Sequence, residues 1–217
     1  MKNKFIIAGL SLALLSAVSC GKDKTITNEV SEVETTQDGA VYNINTGESH
    51  IEWKGFKVFK SENTSHFGKI KFESGELTVK DGKLESGKFV ADMNSLENED
   101  LRDDAEQKAK LEGHLKSGDF FEVEKYPTAT YEITKVTTGV SGDYNTMIDG
   151  NLTLKGVTKP VSFNANVTVN DGILTIATEP KDIMREDYGV KFQVPVQNGL
   201  IKNEVNVQMV IKATASQ

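Results

Sequence analysis

Several residues and motifs that carry chemistry are scarce or missing in this chain of 217 residues. The single cysteine, Cys20, excludes an intramolecular disulfide bond. The three histidines, His50, His66 and His114, are not paired at the spacing of metal ligands. No P-loop, dinucleotide-binding fingerprint or nucleophile-elbow motif occurs. These absences predict a protein without a metal, without a cofactor and without a catalytic constellation, and therefore not an enzyme.

Positive charge is also in deficit. The chain has 25 basic and 32 acidic residues, a formal net charge of -7 and a sequence pI near 5.1. Nucleic-acid binding needs a basic surface to meet the phosphates, so this balance argues against a nucleic-acid partner.

The one long apolar run is at the start of the chain. Two lysines, Lys2 and Lys4, precede an apolar stretch over residues 5–18, and small residues lead to Cys20. This pattern is typical of a secretory signal peptide, and the stretch is too short for a membrane-spanning helix of about 20 residues. The position of this cysteine after small residues resembles the lipobox, at which bacterial lipoproteins are cut and lipidated, and the alternative is cleavage elsewhere, which leaves a free thiol or none. We expect residues 1–19 to be a lipoprotein signal peptide and Cys20 to carry a lipid that anchors the exported protein in the bacterial envelope, at the periplasmic face or the outer surface.

The segment after the cysteine differs in composition from the rest of the chain. Residues 20–40 are rich in Thr, Glu and Asp and contain no aromatic residue. Such a segment buries too little apolar surface to offset the entropy of ordering it. We therefore predict a lipid-anchored flexible tether over 20–40 and a single folded domain over 41–217.

From about residue 41 the hydrophobic pattern has a period of two. In residues 161–169, VSFNANVTV, apolar and polar side chains alternate, and similar segments recur at 129–134, 148–154 and 205–211. Short turn sequences such as Asp81-Gly82 connect them, which favours antiparallel neighbours. A long open sheet would leave two unpaired edges, so the pattern predicts an all-β, antiparallel barrel of eight strands.

One stretch departs from the strand pattern. Apolar residues between 100 and 116 fall on one side of a helix, with acidic residues early and lysines late, as the helix dipole favours. Gly118 follows as a stop, and then come Phe120 and Phe121. Neighbours in an extended strand point in opposite directions, so a turn after Gly118 is needed for one ring to close an end of the barrel while the other packs under the helix. We expect this helical excursion over about 100–116 and a core role for the pair, with a ligand contact as the alternative.

Three separated runs resemble one known family. They are LEGHLKSGDFFEVEKYPTATYEI over residues 111–133, GNLTLKGVTKPV over 150–161 and REDYGV over 185–190. Their order and spacing resemble the YceI family of secreted bacterial proteins, from about residue 41 to residue 213. The resemblance implies an extended, lipocalin-like barrel that binds a long apolar chain, with polyisoprenoids as the associated ligand. It also admits a homodimer, although no apolar strip in the sequence identifies an interface.

The strand registers and the aromatic pair yield a set of inward-facing candidates for an apolar ligand site. Each of them would serve core packing even without a ligand. They are Trp53, Phe56, Phe72, Phe89, Phe121, Tyr131, Ile133, Leu152, Phe163, Val167, Val207 and Met209.

Polar candidates for a ligand's head group are few. Only Arg102 and Arg185 are arginines, and a guanidinium is suited to carboxylate or phosphate. His66 stands close before a glycine, as in the family. The alternatives are structural: a salt bridge to a neighbouring acid for each arginine, and a strand-end position for the histidine.

These observations predict non-catalytic binding, sequestration or transport of a long apolar lipid, which the resemblance identifies as isoprenoid-like. The alternative is an interaction module: a filled barrel, without ligand, whose loops at 59–68 and 94–120 bind another envelope protein.

Overall fold

The computed structural model describes residues 30–33, 39–195, 197 and 199–216, which form eleven strands and one α-helix. The predicted signal peptide and Cys20 lie outside the described residues, as does most of the predicted tether. The elements are β1 Ala40–Ile44, β2 His50–Phe59, β3 Glu62–Lys80, β4 Lys83–Asp92, β5 Glu97–Asn98, α1 Ala105–Lys116, β6 Thr128–Thr138, β7 Thr146–Leu154, β8 Val157–Asn170, β9 Ile173–Thr178, β10 Lys181–Met184 and β11 Gly199–Ala215.

Eight of the strands close into a ring. Each strand pairs with the next in the order β11, β2, β3, β4, β6, β7, β8 and β9, and β9 pairs with β11 again. All of these pairings are antiparallel, and the closing pair places Ile211 opposite Ile176. Closure satisfies the backbone groups that an open edge would leave unpaired. The predicted eight-stranded antiparallel barrel is confirmed.

The last strand, β11, holds the ring together along its whole length. One side of β11 pairs first with β2 and then, near its C-terminal end, with β1. Its other side pairs with β10 and then with β9. Strand β1 also pairs with β3, so it takes the place of β2 between β11 and β3 at that end of the barrel.

The β2–β3 connection is a tight hairpin. Phe59 pairs with Glu62, so only Lys60 and Ser61 form the turn, with φ values of 47° and 77°. Two successive positive φ angles suit the right-handed twist of a two-residue hairpin. Residues 59–68 are therefore strand and turn, and the interpretation of this segment as a loop is wrong.

The helix starts later than the sequence pattern indicates. Asp104 is its N-cap and accepts a hydrogen bond from the Gln107 N–H, while residues 97–98 form the short strand β5 beside β3. Gly68 makes this pairing possible, because a Cβ at that position would lie 1.8 Å from the Glu97 carbonyl oxygen. The helical excursion is confirmed, with Ala105 rather than residue 100 as its first residue.

The barrel is filled at one end only. The end formed by the β3–β4, β6–β7 and β8–β9 connections is packed with fully buried side chains. These are Leu77, Leu84, Ile148, Leu174, Ile176 and Ile211, each at most 2% exposed. At the opposite end, beneath α1 and beside the β2–β3 hairpin, the interior is hollow.

Candidate functional site

The hollow end of the barrel is a cavity of about 300 Å³. Seven ring strands line it, and α1, β10 and residues 185–194 cover part of it. Its volume lies at the lower end of the range of about 300–1,000 Å³ that is usual for small-molecule sites. The lining is overwhelmingly apolar, so the cavity suits a hydrocarbon chain rather than a polar metabolite.

Ten of the twelve predicted apolar positions lie at this cavity. Val207 and Met209 on β11 alternate as the period of two requires, whereas Trp53 and Phe56 on β2 are three residues apart and do not. The ten positions are Trp53, Phe56, Phe72, Phe89, Phe121, Tyr131, Leu152, Phe163, Val207 and Met209. Their role in binding a ligand remains a prediction.

The other two positions face inward but lie deeper, at the filled end. Ile133 is 1% exposed and belongs to the packed core. Val167 packs against that core too, and it borders a separate surface depression beside Thr138 and Tyr144. Alternation gives the direction of a side chain but not its depth along the barrel, and for this reason the sequence placed both with the lining residues.

Three aromatic rings form the floor of the cavity. Phe89 stacks on Tyr131 with ring centroids 6.4 Å apart, and Phe163 meets Tyr131 edge-on at 5.5 Å. The Tyr131 hydroxyl lies 3.0 Å from the Ile148 carbonyl oxygen and 2.8 Å from that of Val161. Burial raises the pKa of this hydroxyl well above its usual range, and nearby Asp149 adds to the effect. Tyr131 therefore stays neutral and ties the floor to β7 and β8.

Phe120 and Phe121 connect the helix to the mouth of the cavity. Phe120 is buried, lies against the His114 ring at 5.0 Å and against Phe192 at 5.3 Å, and Phe121 packs on the core. The turn after α1 places both rings on the cavity, as the Phe121 N–H bonds back to the Leu115 carbonyl. The paired rings thus fasten the end of the helix to the barrel.

Arg185 is the one arginine at the cavity. It is 3% exposed, and its guanidinium donates hydrogen bonds to the carbonyl oxygens of Lys202 at 3.0 Å, Ile201 at 3.2 Å and Val190. Glu186 lies 3.6 Å from the guanidinium. Burial lowers the pKa of Arg185, and Glu186 opposes this. The buried cation therefore has both a structural role, in joining β11 to residues 185–190, and a surface on the cavity.

His66 also lies at the cavity, held by an acid. Its Nδ1 is 2.8 Å from an Asp100 carboxylate oxygen. The same carboxylate also accepts hydrogen bonds from the Phe67 backbone N–H and from the Asn98 side-chain amide. Burial by itself would raise the pKa of Asp100, but these hydrogen bonds outweigh it and hold the pKa below its usual range. Asn98 is fully buried and accepts the Leu101 N–H. This network fixes the segment that leads into α1 against β3.

Arg102, the third predicted head-group residue, lies away from the cavity. Its side chain is 80% exposed and lies 3.9 Å from Asp103, which matches the salt-bridge alternative. An exposed pair of this kind contributes little to stability.

Several lining residues were not predicted. Leu111, His114 and Leu115 come from α1, Phe192 and Val194 from the segment before β11, and Lys57 and Lys202 from the strands at the mouth. The sequence could have indicated Lys57, because it lies four residues after Trp53 on β2 and its side chain therefore points to the same face of the strand. For Phe192 and Val194 a signal also exists, since apolar residues alternate over residues 191–197, KFQVPVQ, but the segment was not included among the predicted strands.

Other kinds of site are not formed by the described part of the chain. No group of three or more His, Cys, Asp and Glu residues there is placed to hold a metal ion. Nor does any helix in those residues have the length and apolar character to cross a membrane.

Comparison with known proteins gives the class to which this barrel belongs. The family model described as YceI-like domain matches residues 42–213. This chain therefore belongs to the YceI-like family. Its relatives include a UPF0312 protein of Vibrio campbellii, 31% identical over 165 residues that make up 76% of this chain and 74% of that protein. A UPF0312 protein of Vibrio parahaemolyticus is 29% identical over the same shares of both chains.

Solved structures share the fold. BcnA of Burkholderia cenocepacia aligns with a TM-score of 0.58 and 19% identity, over 79% of this chain and 99% of that one. A polyisoprenoid binding domain from Saccharophagus degradans, implicated in plant cell wall breakdown, aligns with a TM-score of 0.51 and 15% identity, over 82% and 99% of the two chains. The fold is thus that of a YceI-like barrel, which is consistent with an apolar ligand.

Proposed function

We propose that this protein binds a long apolar lipid, isoprenoid-like in character, and sequesters or carries it in the bacterial envelope without chemical change. The observation that carries the proposal is the half-hollow barrel: an apolar cavity of about 300 Å³ above a packed core. Each buried CH₂ contributes about 0.8 kcal/mol, so a linear chain gains affinity from burial with few polar contacts. The polyisoprenoid binding domain from Saccharophagus degradans shares this fold.

The polar groups at the cavity suit the head of such a lipid. Arg185 and His66 line it beside Lys57 and Lys202, and guanidinium and ammonium groups suit phosphate or hydroxyl oxygens. Arg185 already donates to three carbonyl oxygens, so its remaining N–H groups are the ones available to a ligand.

The location of the protein is part of the proposal. The features of residues 1–20 support export and lipidation at Cys20, with the barrel from residue 41 held by a tether. Within that tether, Ser31 exchanges two backbone hydrogen bonds with the Asn151 side chain on β7, so at least this part rests against the barrel. The alternative of an interaction module supposed a filled barrel, and the cavity favours a ligand instead.

The decisive experiment is native mass spectrometry with lipid extraction on the protein purified from its own envelope. We expect a co-purified chain-like lipid that an added isoprenoid alcohol displaces. The blocking variant is Ala91→Phe, because Ala91 is buried and lines the cavity beside Phe72 and Ala129. Its matched control is Ala109→Phe, at an exposed position of α1.

The two variants separate a cavity from a surface effect. Ala91→Phe should remove the lipid while the protein remains folded by circular dichroism, whereas Ala109→Phe should retain it. A parent protein that carries no lipid and takes up no isoprenoid would contradict the proposal, as would equal uptake by the parent and a folded Ala91→Phe variant.

A further inference from the structure

The mouth of the cavity carries a charge opposite to that of the rest of the chain. Two segments border it, residues 54–65 of the β2–β3 hairpin and the described residues 191–195 and 199–203 before and at the start of β11, and we call them the basic rim. Together they contain five lysines and one glutamate, although the whole chain has a net charge of -7. This part of an acidic protein therefore has a local net charge of +4, from five lysines and one glutamate.

Strand pairing brings the two segments of the basic rim together. Gly199 pairs with Phe59, Leu200 with Val58 and Ile201 with Lys57. Lys57 and Lys202 line the cavity itself. The rim is thus one continuous surface beside the opening.

The lysines of the basic rim are not neutralised within the described residues. Eight lysines elsewhere in the described residues do pair with carboxylates, as Lys108 does with Glu97 and Lys212 with Glu48. Rim lysines instead lie over aromatic rings: Lys54 and Lys202 are 5.5 and 5.7 Å from the Phe56 centroid, and Lys60 is 5.4 Å from that of Phe59.

Apolar side chains are exposed among these lysines. Phe59 is 37% and Leu200 is 51% exposed, and their backbones are adjacent across the β2–β11 pair. Exposed aromatic and aliphatic side chains surrounded by lysines are the composition that enters the interface of an anionic bilayer, where the apolar groups insert and the ammonium groups meet phosphates.

We infer that the basic rim docks the cavity mouth onto an anionic lipid surface. This inference rests on the proposed function, because it supplies the route of the ligand: the lipid passes between the membrane and the cavity without crossing water. The acidic remainder of the chain is repelled by the same surface, so the charge distribution orients the barrel mouth-first.

The test uses co-flotation with lipid vesicles of the chain from Gly21 onward. This chain lacks the predicted lipid anchor and retains every strand, since the strands lie between Ala40 and Ala215. Vesicles are made of phosphatidylcholine alone or of an equal mixture with phosphatidylglycerol. We expect binding to the mixed vesicles, weaker binding at high salt as the Debye length shortens, and little binding to neutral vesicles.

Two variants remove the two components of the basic rim without touching the cavity lining. The charge variant combines Lys54→Glu, Lys60→Glu and Lys191→Glu, and the apolar variant combines Phe59→Ser with Leu200→Ser. A lysine close to an anionic surface contributes about a fivefold factor in partitioning, so reversal of three should weaken binding by roughly a hundredfold or more.

Matched controls lie at the filled end of the barrel. Lys80→Glu, Lys83→Glu and Lys135→Glu change the net charge by the same amount at exposed positions, and Val41→Ser with Ile173→Ser removes side chains of similar exposure. Both control variants should bind vesicles as the parent does.

A second measurement separates this inference from the proposed function. Uptake of an isoprenoid alcohol added from ethanol, without vesicles, should be equal in the parent and the rim variants. Absence of uptake in the parent contradicts the proposed function, whatever the vesicles show. If the parent takes up the isoprenoid but binds neutral and anionic vesicles equally, the docking inference alone is wrong. The same conclusion follows if the rim variants and the control variants lose vesicle binding to the same extent.

Discussion

At the scale of single residues, position 150 requires glycine because the Tyr131 ring leaves no space for a side chain there. A Cβ at this position would lie 2.4 Å from the Tyr131 Cζ and 2.7 Å from the Glu132 carbonyl oxygen. The ring is fixed by its hydroxyl, and the carbonyl belongs to the strand pairing, so neither can move aside. We expect Gly150→Ala to lower the free energy of unfolding by about 1–3 kcal/mol, as overpacking does.

The control for this prediction is a glycine with free space. Gly113 lies on the exposed face of α1, and nothing would stand within 4 Å of an added Cβ. Gly113→Ala should stabilise the protein by about 0.5–1 kcal/mol through helix propensity. Urea denaturation of both variants checks the pair, and destabilisation by both would show that the cause is not the Tyr131 contact.

Trp53 and Tyr131 differ in how their polar groups are satisfied. Among the described residues, the buried indole N–H of Trp53 has no hydrogen-bond acceptor, whereas the Tyr131 hydroxyl has two carbonyls. A buried donor without a partner costs about 1–3 kcal/mol, and a formed hydrogen bond contributes roughly 1 kcal/mol.

Trp53→Phe should therefore leave the stability of the ligand-free protein within about 1 kcal/mol of the parent, because removal of the unpaired N–H offsets the loss of ring volume. Tyr131→Phe should destabilise it, although it removes only one oxygen atom. Thermal unfolding monitored by circular dichroism compares them, and a larger loss for Trp53→Phe than for Tyr131→Phe would refute this account.

Sequence alternation predicted most of these inward residues, but not how far each lies from the mouth. Leu152 and Ile133 have the same pattern around them, yet one lines the cavity and the other fills the core. The difference arises from the stagger between neighbouring strands, which depends on bulges such as the one between Ile133 and Lys135. No single-residue property reports that stagger.

At the scale of elements, α1 is held to the barrel by polar contacts more than by burial. None of its residues is fully buried. Besides the Phe120 and Phe121 rings at its end, its attachment includes the Asp100 network, the Asn98 N–H bond to Glu112 and the side chains of Leu111 and Leu115 at the cavity. The cover over the cavity is therefore sensitive to the charge of Asp100.

The pH dependence of this attachment has a definite sign. The folded-state pKa of Asp100 lies below its unfolded value of about 3.9. The stabilisation that the ionised carboxylate provides is therefore fully present above about pH 3.9, and it is lost as the pH falls through the folded-state pKa. Asp100→Asn should cost roughly 1 kcal/mol near neutral pH, since charged hydrogen bonds are the stronger ones.

The cost of Asp100→Asn should shrink as the pH is lowered from about 5 to about 3, where the parent loses the same charge. Denaturant unfolding of the parent and the variant at each pH measures this cost as the difference between their free energies of unfolding. The contributions of the titratable groups that both proteins share cancel in that difference. Asp103→Asn, at a side chain 98% exposed, is the matched control for removal of one carboxylate. If the cost of Asp100→Asn instead increases as the pH falls, the folded-state pKa of Asp100 is not lowered and this prediction is wrong.

The predicted elements were right in type more often than in extent. Helical periodicity identified α1 but extended it to residue 100, because Leu101 continues the apolar pattern while its N–H bonds to Asn98 instead of forming a helical turn. The β2–β3 turn was missed because Lys60 and Ser61 lack the Asn-Gly or Asp-Gly pattern that usually indicates positive φ.

At the scale of the whole molecule, barrel closure was predictable because an open sheet of this size would expose two edges. The division into filled and hollow halves was not, since alternation does not report depth along the barrel. In the structure, Leu and Ile side chains pack the filled end, whereas aromatic side chains line much of the hollow end. Because the filled half limits the depth of the cavity, we expect the binding affinity to depend on the chain length of the ligand.

We expect affinity for linear alcohols to rise by about 0.8 kcal/mol per added CH₂ until the chain fills the cavity, and to level off beyond that length. Binding also stabilises the fold, by about 2.7 kcal/mol at a ligand concentration a hundred times the Kd, so the Tm should rise in parallel. In Ala91→Phe the plateau should come at a shorter chain. An equal, continuing rise in both proteins would indicate adsorption to the surface.

The position of β11 has a consequence for the order in which the protein can form. This strand follows all the other strands of the described residues and supplies partners to β1, β2, β9 and β10. A nascent chain that still lacks residues 199–215 has its earlier hairpins but no closed ring, and therefore no cavity. Residues 199–215 must therefore be present before any lipid can be enclosed, so the connectivity itself prevents loading of a chain that lacks β11.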